Sequence, residues 1–242
     1  MRLLPSVMLF SLVACGGPVS ADETPGLAGT STGTGANRSY AVAEFVKVAQ
    51  AGPDDVDVRV GSGFSVRAEG DESAISQVRI GRDGETLRIG RRSGVGWSST
   101  GKVKVYVTMP RITAISLAGA GDVTIDRVEG ASFNGEIAGA GDLTIGTVAV
   151  DALTLSAVGA GDITARGTAG SLKASTTGAG DIDAAGLTVQ QAEVDATGAG
   201  NVRATVDGEA KVSLMGAGDV TLGPKARCTV TKMGPGTVRC GG

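Results

Sequence analysis

The sequence predicts an all-β fold: a single-stranded parallel β-helix, or β-solenoid, of about 18–20 residues per coil with a β-rich section capping its N-terminal end. Three observations carry that prediction. A tetrapeptide recurs as Gly119-Ala-Gly-Asp122, Gly139-Ala-Gly-Asp142, Gly159-Ala-Gly-Asp162, Gly178-Ala-Gly-Asp181, Gly198-Ala-Gly-Asn201 and Gly216-Ala-Gly-Asp219, its copies starting 20, 20, 19, 20 and 18 residues apart. Side chains around every copy alternate apolar and polar with a period of two, the signature of half-buried strands. The 242 residues include 40 glycines and only 3% aromatics, a composition suited to backbones stacked closely around a narrow interior.

In chain order, Met1-Arg2 precede an apolar run from Leu3 to Ala14 that is too short to cross a bilayer as a helix and reads as a secretory signal. Leu12-Val13-Ala14-Cys15 resembles the bacterial lipobox, which makes residues 1–15 the signal and Cys15 the lipidated first residue of the mature chain. Gly16 after the cysteine, rather than Asp, points to the outer membrane. The competing site is Val19-Ser20-Ala21, with cleavage before Asp22 and a periplasmic or secreted product. Residues 16–39 are rich in Gly, Ser, Thr, Pro and Ala and read as a flexible tether, since they cannot bury enough apolar surface to fold.

From 40 to 110 the alternation continues in Val56/Val58/Val60, Phe64/Val66/Ala68, Leu87/Ile89 and Val103/Val105/Val107, without helical periodicity. Turn signals, among them Gly52-Pro53-Asp54 and Arg82-Asp-Gly84, separate these runs. They are read as an antiparallel section that shields the first edge of the solenoid. Arg79, Arg82, Arg88, Arg91, Arg92, Lys102 and Lys104 stand against only Asp83 and Glu85 here. A solvated strand face is the simpler reading of that cluster, and contact with anionic head groups or envelope polymers the alternative.

From 111 to 242 the repeats share one inward parity. Ile137, Ala157, Thr176, Ala196 and Leu214 fall two residues before a tetrad, and Val123, Leu143, Ile163, Ile182, Val202 and Val220 fall four after its first glycine. The tetrad glycines Gly119, Gly121, Gly139, Gly141, Gly159, Gly161, Gly178, Gly180, Gly198, Gly200, Gly216 and Gly218 share that parity, where a side chain would strike the neighbouring coil. The Asp points outward, so Asp122, Asp142, Asp162, Asp181 and Asp219 form a column with a spacing of about 4.8 Å. Neighbouring charges at that distance repel by about 1 kcal/mol in water. Each Asp is read as capping its own turn through a nearby backbone N–H. Calcium bound along the column is the weaker alternative, because the Gly-Gly-x-Gly-x-Asp nonapeptide of calcium-binding β-rolls is missing.

The chain has no histidine, which removes Ser-His-Asp and Cys-His catalysis and histidine metal sites, and no catalytic residue or cofactor is assigned. A net charge of −3 gives no case for nucleic acid. If Cys15 carries lipid, Cys228 and Cys240 remain as a pair in an oxidising compartment, flanking a last degenerate repeat with Gly234-Pro-Gly236. A disulfide between them would staple the final coil.

Phe64-Ser-Val-Arg-Ala-Glu-Gly-Asp71, Glu85-Thr-Leu-Arg-Ile89, Val103 to Pro110 and Ile115-Ser-Leu-Ala-Gly-Ala-Gly-Asp-Val123 with its successors make residues 40–241 similar to the head GIN domain family, autotransporter-adhesin-type head domains of unknown function. The resemblance implies a β-helical fold, right-handed by the habit of such folds, in secreted or surface lipoproteins of bacteria. It implies no catalytic residues. The reading is therefore a non-enzymatic, lipid-tethered envelope protein for adhesion, surface scaffolding or interaction, with a surface protein or polysaccharide as partner and oligomeric state open. A carbohydrate-active β-helix enzyme and a calcium-dependent binding module are the alternatives.

Overall fold

The computed structural model describes residues 31–92 and 101–241. The expected signal with Cys15, residues 16–30 of the expected tether and residues 93–100 lie outside the described residues. In chain order the elements are β1 (Ser31–Thr32), β2 (Asn37–Tyr40), β3 (Lys47–Gly52), β4 (Asp55–Val60), β5 (Ser65–Gly70), α1 (Glu72–Ile75), β6 (Val78–Asp83), β7 (Thr86–Arg91), β8 (Val103–Met109) and β9 (Ala114–Gly119). Five long strands follow, β10 (Val123–Gly139), β11 (Leu143–Gly159), β12 (Ile163–Gly178), β13 (Ile182–Gly198) and β14 (Val202–Gly216). The chain closes with β15 (Val220–Thr221), β16 (Arg227–Met233) and β17 (Val238–Arg239).

The fold is a β-solenoid of about 6 turns. β10 to β14 stack in parallel, each leading through a tetrad into the next. The alternation places one apolar column inward: Val56, Val123, Leu143, Ile163, Ile182, Val202 and Val220 lie one above another, none more than 1% exposed. Burying each such side chain is worth about 1.5–3 kcal/mol, so the column supplies cohesion along the whole axis.

The register slips mainly in the turn after the first strand segment of a coil, and in the shortest interval again between Val189 and Gln191. In the 19-residue interval the register slips between Ile145/Val148 and their partners Ala165/Gly167. In the 18-residue interval the main slip is between Ala184/Thr188 and Ala204/Thr205. Both of these slips fall in the turn after the first strand segment that follows a tetrad, and the tetrads keep their register throughout.

The N-terminal section departs from the expected antiparallel cap. β3 pairs in parallel with β9, aligning Gly52 with Gly119, and β4 pairs in parallel with β10, aligning Val56 with Val123. Gly52-Pro53-Asp54-Asp55 is therefore a tetrad of the stack and not merely a turn between strands. On the other side of this coil lie β7 and β8, also parallel to it. β7 and β8 thus lie outside the coil that precedes them in sequence. Only β1, β2, β5 and β6 are antiparallel: β5 runs along β8, β2 along β5, β1 along β2, and β6 along β7. They cover the first edge of the stack, as end repeats must.

Two smaller corrections follow. β1 and β2 take residues 31–32 and 37–39 of the expected tether into the sheet, because strand pairing uses backbone groups and tolerates their polar side chains. α1 is a single helical turn with Ala74 and Ile75 buried, too short to show periodicity in the sequence.

Candidate functional site

The tetrad corner holds the one set of functional-looking groups that repeats along the chain. Its first glycine has positive φ in every copy, from +117° at Gly198 to +150° at Gly139, a conformation that residues with a Cβ rarely adopt. The second glycine is required for a different reason: a Cβ at Gly121, Gly141, Gly161, Gly180, Gly200 or Gly218 would lie 2.0–2.2 Å from a carbonyl oxygen of the preceding coil. No shift of a flexible side chain can relieve that contact, since the obstacle is backbone.

With the coils this close, the Asp carboxylates reach from one to the next. The Asp142 N–H donates to Asp122 Oδ1 at 3.0 Å, Asp162 to Asp142 at 2.9 Å, Asp181 to Asp162 at 2.8 Å and Asn201 to Asp181 at 2.7 Å. The Asp219 N–H donates to Asn201 Oδ1 at 2.9 Å and Thr237 N–H to Asp219 at 2.9 Å. Each side chain therefore caps the following coil, not its own turn as the sequence suggested. Asp55, absent from the predicted column, is its first member, accepting from the Asp122 N–H at 3.0 Å. Its signal was the Gly52-Pro53-Asp54 that precedes it, which reads as an ordinary turn when the second glycine is missing.

Charge repulsion along the column is relieved locally. Asn201 Nδ2 donates to both Asp181 oxygens, at 3.0 and 3.2 Å, and Arg203 lies 4.0 Å from the same carboxylate. The Thr237 hydroxyl, at 2.6 Å, and then its N–H hold the Asp219 carboxyl below the usual carboxylate range. One oxygen of each ladder carboxylate is committed to the next coil. Among the described residues no three His, Cys, Asp or Glu side chains gather as a metal would require.

A second column, inside the tetrad corner, contains the inward positions expected two residues before each tetrad; what the sequence did not show is how its polar members are satisfied. Gln50, Leu117, Ile137, Ala157, Thr176, Ala196, Leu214 and Lys232 stack in register. Its three polar members each donate to the carbonyl four residues ahead: Gln50 Nε2 to Asp54 at 2.7 Å, Thr176 Oγ1 to Gly180 at 2.8 Å and Lys232 Nζ to Gly236 at 2.6 Å. Polar groups enter the interior only where the tetrad carbonyl satisfies them.

The basic cluster is largely interlaced with acids. Arg91 is not a solvated face residue: its side chain is mostly buried and grips the fully buried Asp54 through Nε and Nη2, while Nη2 also donates to Gly101 O at 2.9 Å. The hydrogen bond it donates to Asp54 raises the Arg91 guanidinium above its usual range. Arg88 pairs with Asp83 at 2.9 Å, Arg82 lies 3.7 Å from Glu44, and Lys104 lies 3.7 Å from Asp57. Lys102 and Arg92 are not in ion pairs among the described residues. Burial, then the nearby Arg92, lowers the Arg79 guanidinium.

An open groove of about 840 Å³ runs beside the corner remote from the tetrads, midway along each coil, and is lined by side chains from five successive coils. Thr154, Lys173, Glu193, Lys211 and Thr229 form its outer column, with Lys173 and Glu193 paired at 3.6 Å. Cys228 at its end is joined to Cys240, their Cα atoms 6.1 Å apart, and both cysteines pack against the core.

A family described as "Putative auto-transporter adhesin, head GIN domain" matches residues 44–225, and the chain belongs to it. No curated protein matches the chain. Among solved structures it is similar to a "putative adhesin" of Bacteroides fragilis, 21% identical with a TM-score of 0.76, covering 84% of this chain and 95% of that one. A "Putative lipid binding protein" of Parabacteroides distasonis is 17% identical with a TM-score of 0.66, covering 86% and 97%. A "putative adhesin" of Parabacteroides merdae is 17% identical with a TM-score of 0.64, covering 86% and 96%. At these identities the likeness is one of fold.

Proposed function

We propose, from membership of the head GIN family, that this chain is a non-enzymatic, exported envelope protein that holds a β-solenoid at the cell surface for adhesion or scaffolding, tethered to the outer membrane through lipid on Cys15. The observation that carries the reading is the groove beside the remote corner. Side chains from five coils line it, so contacts recur at about 4.8 Å intervals along the axis, a geometry suited to an extended surface polymer or a partner's strand. The ladder carboxylates support the same reading, because each is engaged in joining coils and none is held in reserve beside a second acid as hydrolytic chemistry needs. Adhesin names among the relatives agree with it.

The test compares adhesion of cells carrying the wild-type chain, Cys15→Ser, and Lys173→Glu combined with Lys211→Glu. Both lysines lie on the surface, so the pair changes the groove's charge without touching the core. Cys15→Ser releases the protein from the membrane fraction, and the double variant stays anchored but loses adhesion. Adhesion equal in all three strains, or a Cys15→Ser protein that remains membrane-bound, contradicts the proposal.

A further inference from the structure

We infer that the C-terminal end of the solenoid is a strand edge that fits a second copy of this chain, and that Lys232 is the group that prevents the two from pairing. β16 is hydrogen-bonded along one edge, to β14. Val230, above buried Val212, is 44% exposed, and Met233, on the outer face above exposed Met215, is 67% exposed. Free backbone groups beside exposed apolar side chains form a template for another strand.

The residues of β16 are self-complementary in an antiparallel sense. With Val230 on the two-fold axis, Thr229 meets Thr231 of the other copy on both sides, Arg227 meets Met233, and Lys232 meets Cys228. Thr–Thr and Val–Val cross-strand pairs are favourable, and no cation faces a cation. Because this pairing joins β16 to β16 about a two-fold axis, it uses up both edges and closes at two.

Lys232 opposes this. It stands in the interior column, where Gln50 and Thr176 serve the same carbonyl position with uncharged donors. Those two are in coils with a neighbour on each side. The charged member stands in the last coil, where Nζ still reaches water. A second copy stacked on β16 would enclose the ammonium between two apolar interiors with a carbonyl as its acceptor, at a steep desolvation cost. Inward-pointing charge is one of the devices by which edge strands avoid pairing.

The exported chain carrying Cys15→Ser tests this by sedimentation velocity across a concentration series, with thermal melts to verify folding. Wild type sediments as a monomer. Lys232→Leu, which continues Leu214, doubles in mass and dimerises at least about tenfold more tightly, and adding Val230→Lys restores the monomer. Lys232→Gln keeps the donor to Gly236 without the charge and also dimerises, so an unfolded Leu variant leaves the question decidable. A dimeric wild type, a folded monomeric Lys232→Leu and Lys232→Gln, or a dimer indifferent to Val230→Lys overturns the inference.

Discussion

The two ends of the solenoid finish the same repeat in opposite ways. Each carries an altered tetrad with proline second, Gly52-Pro53-Asp54-Asp55 at the start and Gly234-Pro235-Gly236-Thr237 at the finish. Within the stack every coil donates N–H groups to the coil before it and offers a carboxylate or amide oxygen to the coil after it. The first tetrad needs an acceptor and, among the described residues, has no glycine carbonyl beneath it to receive an N–H, so Asp55 and Pro53 suit it. In the last, Thr237 takes the place of Asp and gives both N–H and hydroxyl to Asp219. The repeat is thus directional, and its ends reveal which half of the exchange each position performs.

The ends also differ in what seals them. The first coils are covered by antiparallel strands and locked by the buried Asp54–Arg91 pair, the last by a disulfide and Lys232. Arg91→Met should therefore be the most damaging change at either end. It strands a fully buried carboxylate and should cost about 3 to 5 kcal/mol in denaturant unfolding, because removing one partner leaves the other charge uncompensated. Cys228→Ser should cost about 3 kcal/mol, the constraint lost when a loop of this size is opened. Its hydrogen exchange should rise in β16 and β17 and stay unchanged in β3 and β4. Equal loss of protection at both ends would break the comparison.

A gentler test uses acid. Asp219 has its pKa depressed in the folded state, so its contribution is present above the unfolded carboxylate value, about 3.9, and disappears as pH falls through the lower folded value. Exchange in β17 should accelerate below that range. Thr237→Val, which removes the first cause of the depression, should raise the Asp219 midpoint in a carboxyl NMR titration. A midpoint indifferent to that change would show that Thr237 does not close the ladder.

Much of the middle of the molecule was readable from alternation alone. The column from Val123 to Val220 and the inward parity of both glycines in each tetrad follow from counting by twos. Alternation tells which face a residue occupies, but not which strand lies beside it. Val103/Val105/Val107 and Val56/Val58/Val60 carry the same pattern, so nothing in the residues revealed that the later segment sits outside the earlier one. Asp55 escaped notice because Asp54 occupies the second glycine's place, its carbonyl held by Gln50. Lys232 was not singled out, since the carbonyl that satisfies it belongs to a backbone turn. The partner of each ladder carboxylate was equally hidden, because the distance between coils, and not the sequence, decides whether an Asp reaches its own turn or the next.

The central claim is that the Asp ladder is architecture, its oxygens serving as neutral-tolerant acceptors for the coil above. Asn201 already performs that task. The most direct measurement is the melting temperature of wild type, Asp142→Asn and Asp142→Ala, each with and without millimolar calcium. Asp142→Asn should match wild type, Asp142→Ala should lose about 1 kcal/mol for the missing acceptor, and calcium should move none of them. Wild type raised by calcium, with Asp142→Asn as impaired as Asp142→Ala, would instead make the ladder a cation site.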